Sequence, residues 1–420
     1  MSQKYSLLLC LLMGSVVCSI AAAEFEAGVA VEIVTPDPLL PVSGGIGVPN
    51  PATQKIGDLT VRALALRQGE TTVVIVSADF LGFPGVLADK ARALVKDVPP
   101  ENIIIGVTHT HSAPDCYAFA DEQGNTGADL DYLDFVCEQM GKAINAAVKN
   151  LQPAVLKVAT DKAQGKIAYN YYAPDLYDRR CHVLQVLDKS NKPIATLVNY
   201  ACHPEVLGDE QGILSPDLCG PLYDRIEQKG GGIGIFMNSA QGGMVTADNR
   251  GPDGKDMRTW DECVRIGTLL ADEALRIVSN APIQENPELY CTSRVVTFPV
   301  ESETILSAIR HSPLKYPSID EGKISTRINL VNLGNAQILT IPGEALPNIG
   351  FYLKRNMDGE HNFLFGLTND AFGYMLVKED WDSFERYAYI TRTCLGERTG
   401  EIYITEALKL VEESPKPQRL

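Results

Sequence analysis

The chain has 420 residues, 45% of them hydrophobic, a balance that buries a globular core. Its formal net charge of -16 argues against a nucleic-acid ligand, because that affinity rests on lysine and arginine facing phosphates. Ten cysteines occur without any CxxC spacing, which excludes a dense disulfide scaffold; Cys137 and Cys202 sit in apolar contexts expected of buried free thiols.

Lys4, the apolar run Leu7 to Ile20 and the small residues Ala21-Ala22-Ala23 have the layout of a secretory signal peptide over residues 1–23. The run is shorter than the ~20 apolar residues of a membrane span. No later segment is apolar enough to cross a bilayer, so a secreted, periplasmic or extracellular chain without a transmembrane segment is expected. Thr72–Ser77, Ile103–Val107, Ala195–Asn199, Ile233–Met237, Ile338–Ile341 and Phe363–Leu367 read as buried strands, being short, β-branched and apolar. Between them Leu133, Val136, Met140, Ile144, Ala147 and Leu151 recur at helical spacing, as do Val264, Gly267, Ala271, Leu275 and Val278. The alternation predicts an α/β fold, with buried, mostly parallel or mixed sheets packed between helices. The stretch Ala281–Pro287 is a possible divide between two lobes, but a single domain over residues 24–412 is the default reading. Residues 413–420 are expected to fray.

Five of these strands run into polar residues: Thr108-His109-Thr110-His111, Tyr200 to Glu205, Asn238 to Gly243, Pro342-Gly343-Glu344, and Thr368 to Tyr374. Ligands of open α/β sheets bind beyond the carboxyl ends of strands, so parallel neighbours would bring these tips together. In an extended segment His109 and His111 share a face, and can present two imidazoles to one metal, or one to the metal and one to a substrate. His203 repeats the same strand-end placement, and Glu344 follows a turn-forming Pro-Gly. Two histidines and a glutamate are sound zinc ligands that leave a coordination position open for water. The Gly-rich Asn238–Met244 loop allows close backbone approach to a ligand but lacks nucleotide-binding spacing. His182, His311 and His361 read as structural or solvated.

At these residues the chain resembles the neutral, non-lysosomal ceramidases, zinc amidohydrolases that cleave the N-acyl bond of ceramide. The likeness is carried by Ala27-Gly28-Val29-Ala30 with Ile33 and Thr35, by Gly106–Pro114 (GVTHTHSAP), by Asn199–Leu207 (NYACHPEVL), by Pro342-Gly343-Glu344 and by Asn369–Tyr374 (NDAFGY). Glu379-Asp380-Trp381 through Tyr387 resembles a further family stretch. The resemblance implies Zn2+ held by His109, His203, Glu344 and Tyr374. It implies His111 near the reacting carbonyl, and Tyr387 as an oxyanion or acid/base partner. Where the family carries its nucleophilic serine this chain has Gly243, and Tyr171 or a neighbour replaces a family arginine. The length leaves no room for the family's C-terminal β-sandwich.

The expected function is therefore hydrolysis of an amide (N-acyl) or ester bond in a small or lipid-like substrate. Zinc-activated water would attack, with His111 or Glu205 as base. The alternative is a non-catalytic lipid- or glycan-binding protein that keeps a structural zinc.

Overall fold

The computed structural model describes residues 23–45 and 47–420. The signal-peptide reading therefore falls, apart from Ala23, outside the described residues. The larger sheet has eight strands: β1 (Phe25–Ile33), β2 (Thr60–Gln68), β3 (Thr71–Ala78), β4 (Ile103–Val107), β5 (Gln152–Lys162), β6 (Arg180–Asp188), β7 (Pro193–Tyr200) and β8 (Ile233–Asn238). Their spatial order is β8-β7-β6-β5-β1-β2-β3-β4. The second sheet has four: β9 (Leu289–Pro299), β10 (Lys323–Leu333), β11 (Ala336–Thr340) and β12 (His361–Phe365), in that order. Only β3–β4, β7–β8 and β11–β12 pair in parallel, so both sheets are mixed.

Strand periodicity builds the layers. On β3, Val74 and Val76 face one way, toward α1 (Gly85–Arg92) and α2 (Leu130–Lys149), while Val73 and Ile75 face the second sheet. At the other end of the large sheet, Val183, Val198 and Phe236 pack on α3 (Cys219–Gln228) and α4 (Trp260–Ser279). Between the sheets, Leu64, Ile75 and Leu184 join Val331, Ile338 and Phe363 in one core. The outer face of the second sheet is covered by α5 (Glu303–His311), α6 (Pro347–Asn356) and α8 (Thr399–Glu413), through Ile305, Ile349, Leu353, Tyr403 and Leu410. A short α7 (Ala388–Arg392) precedes α8. The result is four layers, helix–sheet–sheet–helix, as expected of buried sheets between helices. Side-chain caps fix the two long helices: Asp129 accepts from the Tyr132 N–H and Thr259 from that of Glu262.

The predicted strand tips do meet, but not as parallel neighbours. The large sheet coils until its edge strands β4 and β8 approach each other. Across that seam the Ser77 hydroxyl donates to the Phe236 carbonyl (2.5 Å), Arg62 to the Gly234 carbonyl (2.9 Å) and the Asn238 amide to the Thr108 carbonyl (3.0 Å). The segment leaving β12 closes the same end, with the Gly366 N–H on the Asn238 carbonyl and that of Asn369 on the Ile105 carbonyl.

The Ala281–Pro287 stretch ties the sheets together: Gln284 pairs with Leu156 through its backbone and reaches Asn335 with its side chain. Beyond α8, the Pro415 carbonyl accepts from Asn332 and the Gln418 side chain accepts from the Glu288 N–H. All eight cysteines among the described residues are free thiols, seven of them buried.

Asp370 holds the start of α1 from a distant segment, its Oδ1 accepting from the Gly85 and Ala371 N–H groups (both 3.0 Å). Burial nevertheless pushes its carboxyl up to about 7. A carboxyl raised in the fold from its usual 3.8 leaves full stability below the unfolded value and loses it as pH climbs through the folded one. The loss is at most about 4 kcal/mol at ~1.4 kcal/mol per unit. Asp370→Asn keeps the accepting oxygen without the charge. It should melt like the parent near pH 3 and several degrees higher near pH 8.5, read by calorimetry at both values.

Candidate metal centre

His109 leaves β4 with φ at 70°, a left-handed conformation uncommon outside glycine. Its N–H donates to the Phe80 carbonyl (2.9 Å) and its ring Nδ1 to the Leu81 carbonyl (2.5 Å). His203, beyond β7, is fixed likewise, its Nδ1 donating to the Val245 carbonyl at 2.8 Å. A backbone carbonyl on each Nδ1 sets the tautomer and turns Nε2 inward, the support that metal-binding imidazoles need.

Glu344 enters on a two-residue strand, Glu344–Ala345, paired in parallel with Tyr374–Met375 so that Glu344 stands opposite Tyr374. Its Oε2 lies 3.0 Å from His203 Nε2 and 3.4 Å from His109 Nε2. All three side chains are buried. Burial opposes charge on both partners, yet their mutual attraction wins. The Glu344 carboxyl is held far below its usual range by His109 and His203, and His203 is raised to about 9 by Glu344 and Glu205. Two inward imidazole nitrogens and an ionised carboxylate are a donor set that fits zinc.

His111 lies beside them, its ring centroid 4.9 Å from that of His109 and 5.7 Å from that of His203. The ligating atoms of His109, His111 and His203 fall within 4.8 Å of one another, spacing suited to a metal ion. Its Nδ1 is 3.8 Å from Glu205 Oε2, and its Nε2 is buried without a hydrogen-bond partner. Burial lowers its pKa to about 3 against the pull of Glu205. Glu205 stays ionised despite burial, held low by His111, His203 and the Thr246 hydroxyl.

Tyr374 is buried, and its hydroxyl donates to Met244 Sδ at 3.1 Å. Tyr387 sits outside this group, on the turn Glu385–Tyr387, packed on Tyr172 (5.4 Å) and Phe384 (5.3 Å). Tyr389, two residues on, does line the central cavity, with Tyr117, Tyr316 and Tyr374; its ring is 6.0 Å from that of Tyr374. The sequence reading missed Tyr389 and Tyr117; Tyr389's parity with Tyr387 was the one available signal. Tyr171 is 64% exposed and does not line the cavity.

The cavity spans about 690 Å³, part of it open to solvent. His109, His111, Glu344 and Tyr374 line one part of it, and Leu81, Phe119, Ile305, Ile309, Phe372 and Leu395 give it apolar walls. Among the described residues that wall carries no serine, and its one threonine, Thr393, donates its hydroxyl to the Tyr389 carbonyl. The Gly242–Gly243 loop does not line it: a Cβ on Gly242 would lie 2.1 Å from the Glu344 carbonyl oxygen, and Gly243, with φ at 70°, faces Leu346 instead. Gly243→Ser should therefore leave any hydrolysis without a new nucleophile. It should destabilise the chain by about 1–2 kcal/mol, measured by urea unfolding beside the parent.

No protein-family model and no curated protein sequence matches the chain. Among solved structures it is similar to neutral ceramidase from Pseudomonas aeruginosa, with a TM-score of 0.76 at 17% identity over 95% of this chain and 76% of that one. A second structure, a ceramidase complexed with C2, gives a TM-score of 0.75 at 17% identity over the same shares. The chain thus has a ceramidase-like fold.

Proposed function

We propose that residues 24–412 form the catalytic domain of an exported zinc-dependent hydrolase of N-acyl or ester bonds, acting on a lipid-like substrate. The observation that carries the reading is the meeting of His109 Nε2, His203 Nε2 and Glu344 Oε2 at the edge of an apolar cavity. His109, His203, Glu344 and Tyr374 would hold the metal. When bound it supplies Lewis acidity, polarising a carbonyl and acidifying water. The apolar walls take up the chain of the substrate and exclude bulk water around the reacting group. His111, neutral and with its buried Nε2 unpartnered, accepts the proton of an attacking water, and Glu205 steadies the imidazolium that forms. Tyr389 offers its hydroxyl to the developing oxyanion. Ceramidase-like architecture, together with the motif resemblance, favours an amide as the scissile bond.

The test is metal analysis of the purified chain, followed by a panel of N-acyl amides and esters. About one zinc per chain with turnover of acyl substrates supports the reading; a chain that takes up no zinc when it is supplied sinks it. The glycine at position 243 favours a second reading, a lipid-binding protein with a structural metal. Zinc bound tightly with saturable lipid binding and no turnover across the panel would establish that one.

A further inference from the structure

The metal-side cavity shares a wall with a second pocket of about 610 Å³. Tyr316, Ile324 and Asp370 line both spaces, and none of the four candidate metal ligands named above lines the second. The wall is firm: Ile324, the second residue of β10, and Tyr316, in the loop after α5, are buried, and Asp370 is pinned by two backbone N–H groups. The two sides differ in character. On the metal side lie Leu81, Ile305 and Ile309; beyond the wall Asp89, Arg92, Thr326 and Arg327 stand among Val86 and Val295.

We propose that the Tyr316–Ile324–Asp370 partition is a chain-length stop that sets the longest apolar chain the cavity accepts. Each methylene laid against the apolar walls is favourable. The first methylene past the wall would need Ile324 displaced and would then face charged and hydroxyl groups, losing that gain. The inference rests on the acyl-substrate reading for its biological meaning, but not for its measurement.

The experiment uses the full chain and two assays over the same ladder of lengths. One is displacement of a fluorescent fatty acid by saturated fatty acids from hexanoate to stearate; the other is hydrolysis of the corresponding N-acyl amides and the matching esters. Affinity should rise with length to a break. In Ile324→Ala the break should move to longer chains, with the first excluded length gaining about tenfold, the effect of a methylene in an apolar pocket. In Ile324→Phe, which fills the space instead, the break should move to shorter chains. A break at the same length in both variants, with cooperative melting and metal content retained, overturns the proposal. A ladder that shifts while no variant hydrolyses any amide or the matching ester supports the stop and overturns the hydrolase reading. Hydrolysis with an unmoved ladder overturns the stop alone.

Discussion

Glu344→Gln should cost the chain at least about a hundredfold in zinc affinity, since even groups that only support a metal ligand are worth 10–100-fold. Glu344 is the point of closure of the site: its Oε2 alone stands within 3.0 Å of His203 Nε2 and 3.4 Å of His109 Nε2. Glutamine keeps the volume but removes the negative charge that balances a divalent cation. It also leaves the apo fold intact. Each imidazole keeps its Nδ1 bond, to Leu81 or Val245, and the new amide can donate to either Nε2. The two effects are separated by thermal melting with and without zinc. Saturating zinc should stabilise the parent by about 4 kcal/mol at a thousandfold excess over Kd and shift the variant's melting little. Hydrolysis, where measured, should fall with metal occupancy. A variant that retains full zinc would remove Glu344 from the ligand set.

Much of the fold lay open in local pattern. Ile103–Val107 was legible to the residue because a Pro-rich turn precedes it and a polar run follows. The stripe Leu133, Val136, Met140, Ile144, Ala147 is the buried face of α2. Less legible were β9 and β10, whose serines, threonines and arginines dilute the apolar signal because β9 is an edge strand. Hidden altogether was the coiling of the large sheet. The seam between β4 and β8 rests on contacts such as Asn238 to Thr108, 130 positions apart, which no local pattern encodes. The strand-end rule nonetheless anticipated that His109, His203 and Glu344 converge, because polar side chains at the ends of buried strands must find partners wherever the sheet brings them. The rule failed at the periphery of the site. Whether Tyr387 or Tyr389 enters the cavity depends on one turn, and the apolar wall from α5 carries no chemical signature. Likewise the resemblance marks Gly243 as lacking a side chain, whereas only the structure shows that its backbone is left-handed and that a Cβ there would face Leu346.

His111→Ala should keep about one zinc per chain and lower turnover of acyl substrates by about 10²–10⁴-fold, the span of a lost general base. The geometry gives His111 two possible places. It belongs to the three-histidine group with His109 and His203, as a third ligand would. Yet its surroundings differ from theirs. His109 and His203 each anchor Nδ1 on a backbone carbonyl and turn Nε2 to Glu344, whereas His111 presents Nδ1 to Glu205 at 3.8 Å and lines the cavity with its Nε2 unpartnered. An imidazole with a carboxylate beside one nitrogen and no partner on the other is placed to take a proton. Glu205→Gln should then reproduce part of the loss without touching the metal, because it removes the charge that stabilises the imidazolium. If His111→Ala instead loses its zinc, the three histidines are the ligand set, and Glu344, freed from coordination, becomes the base.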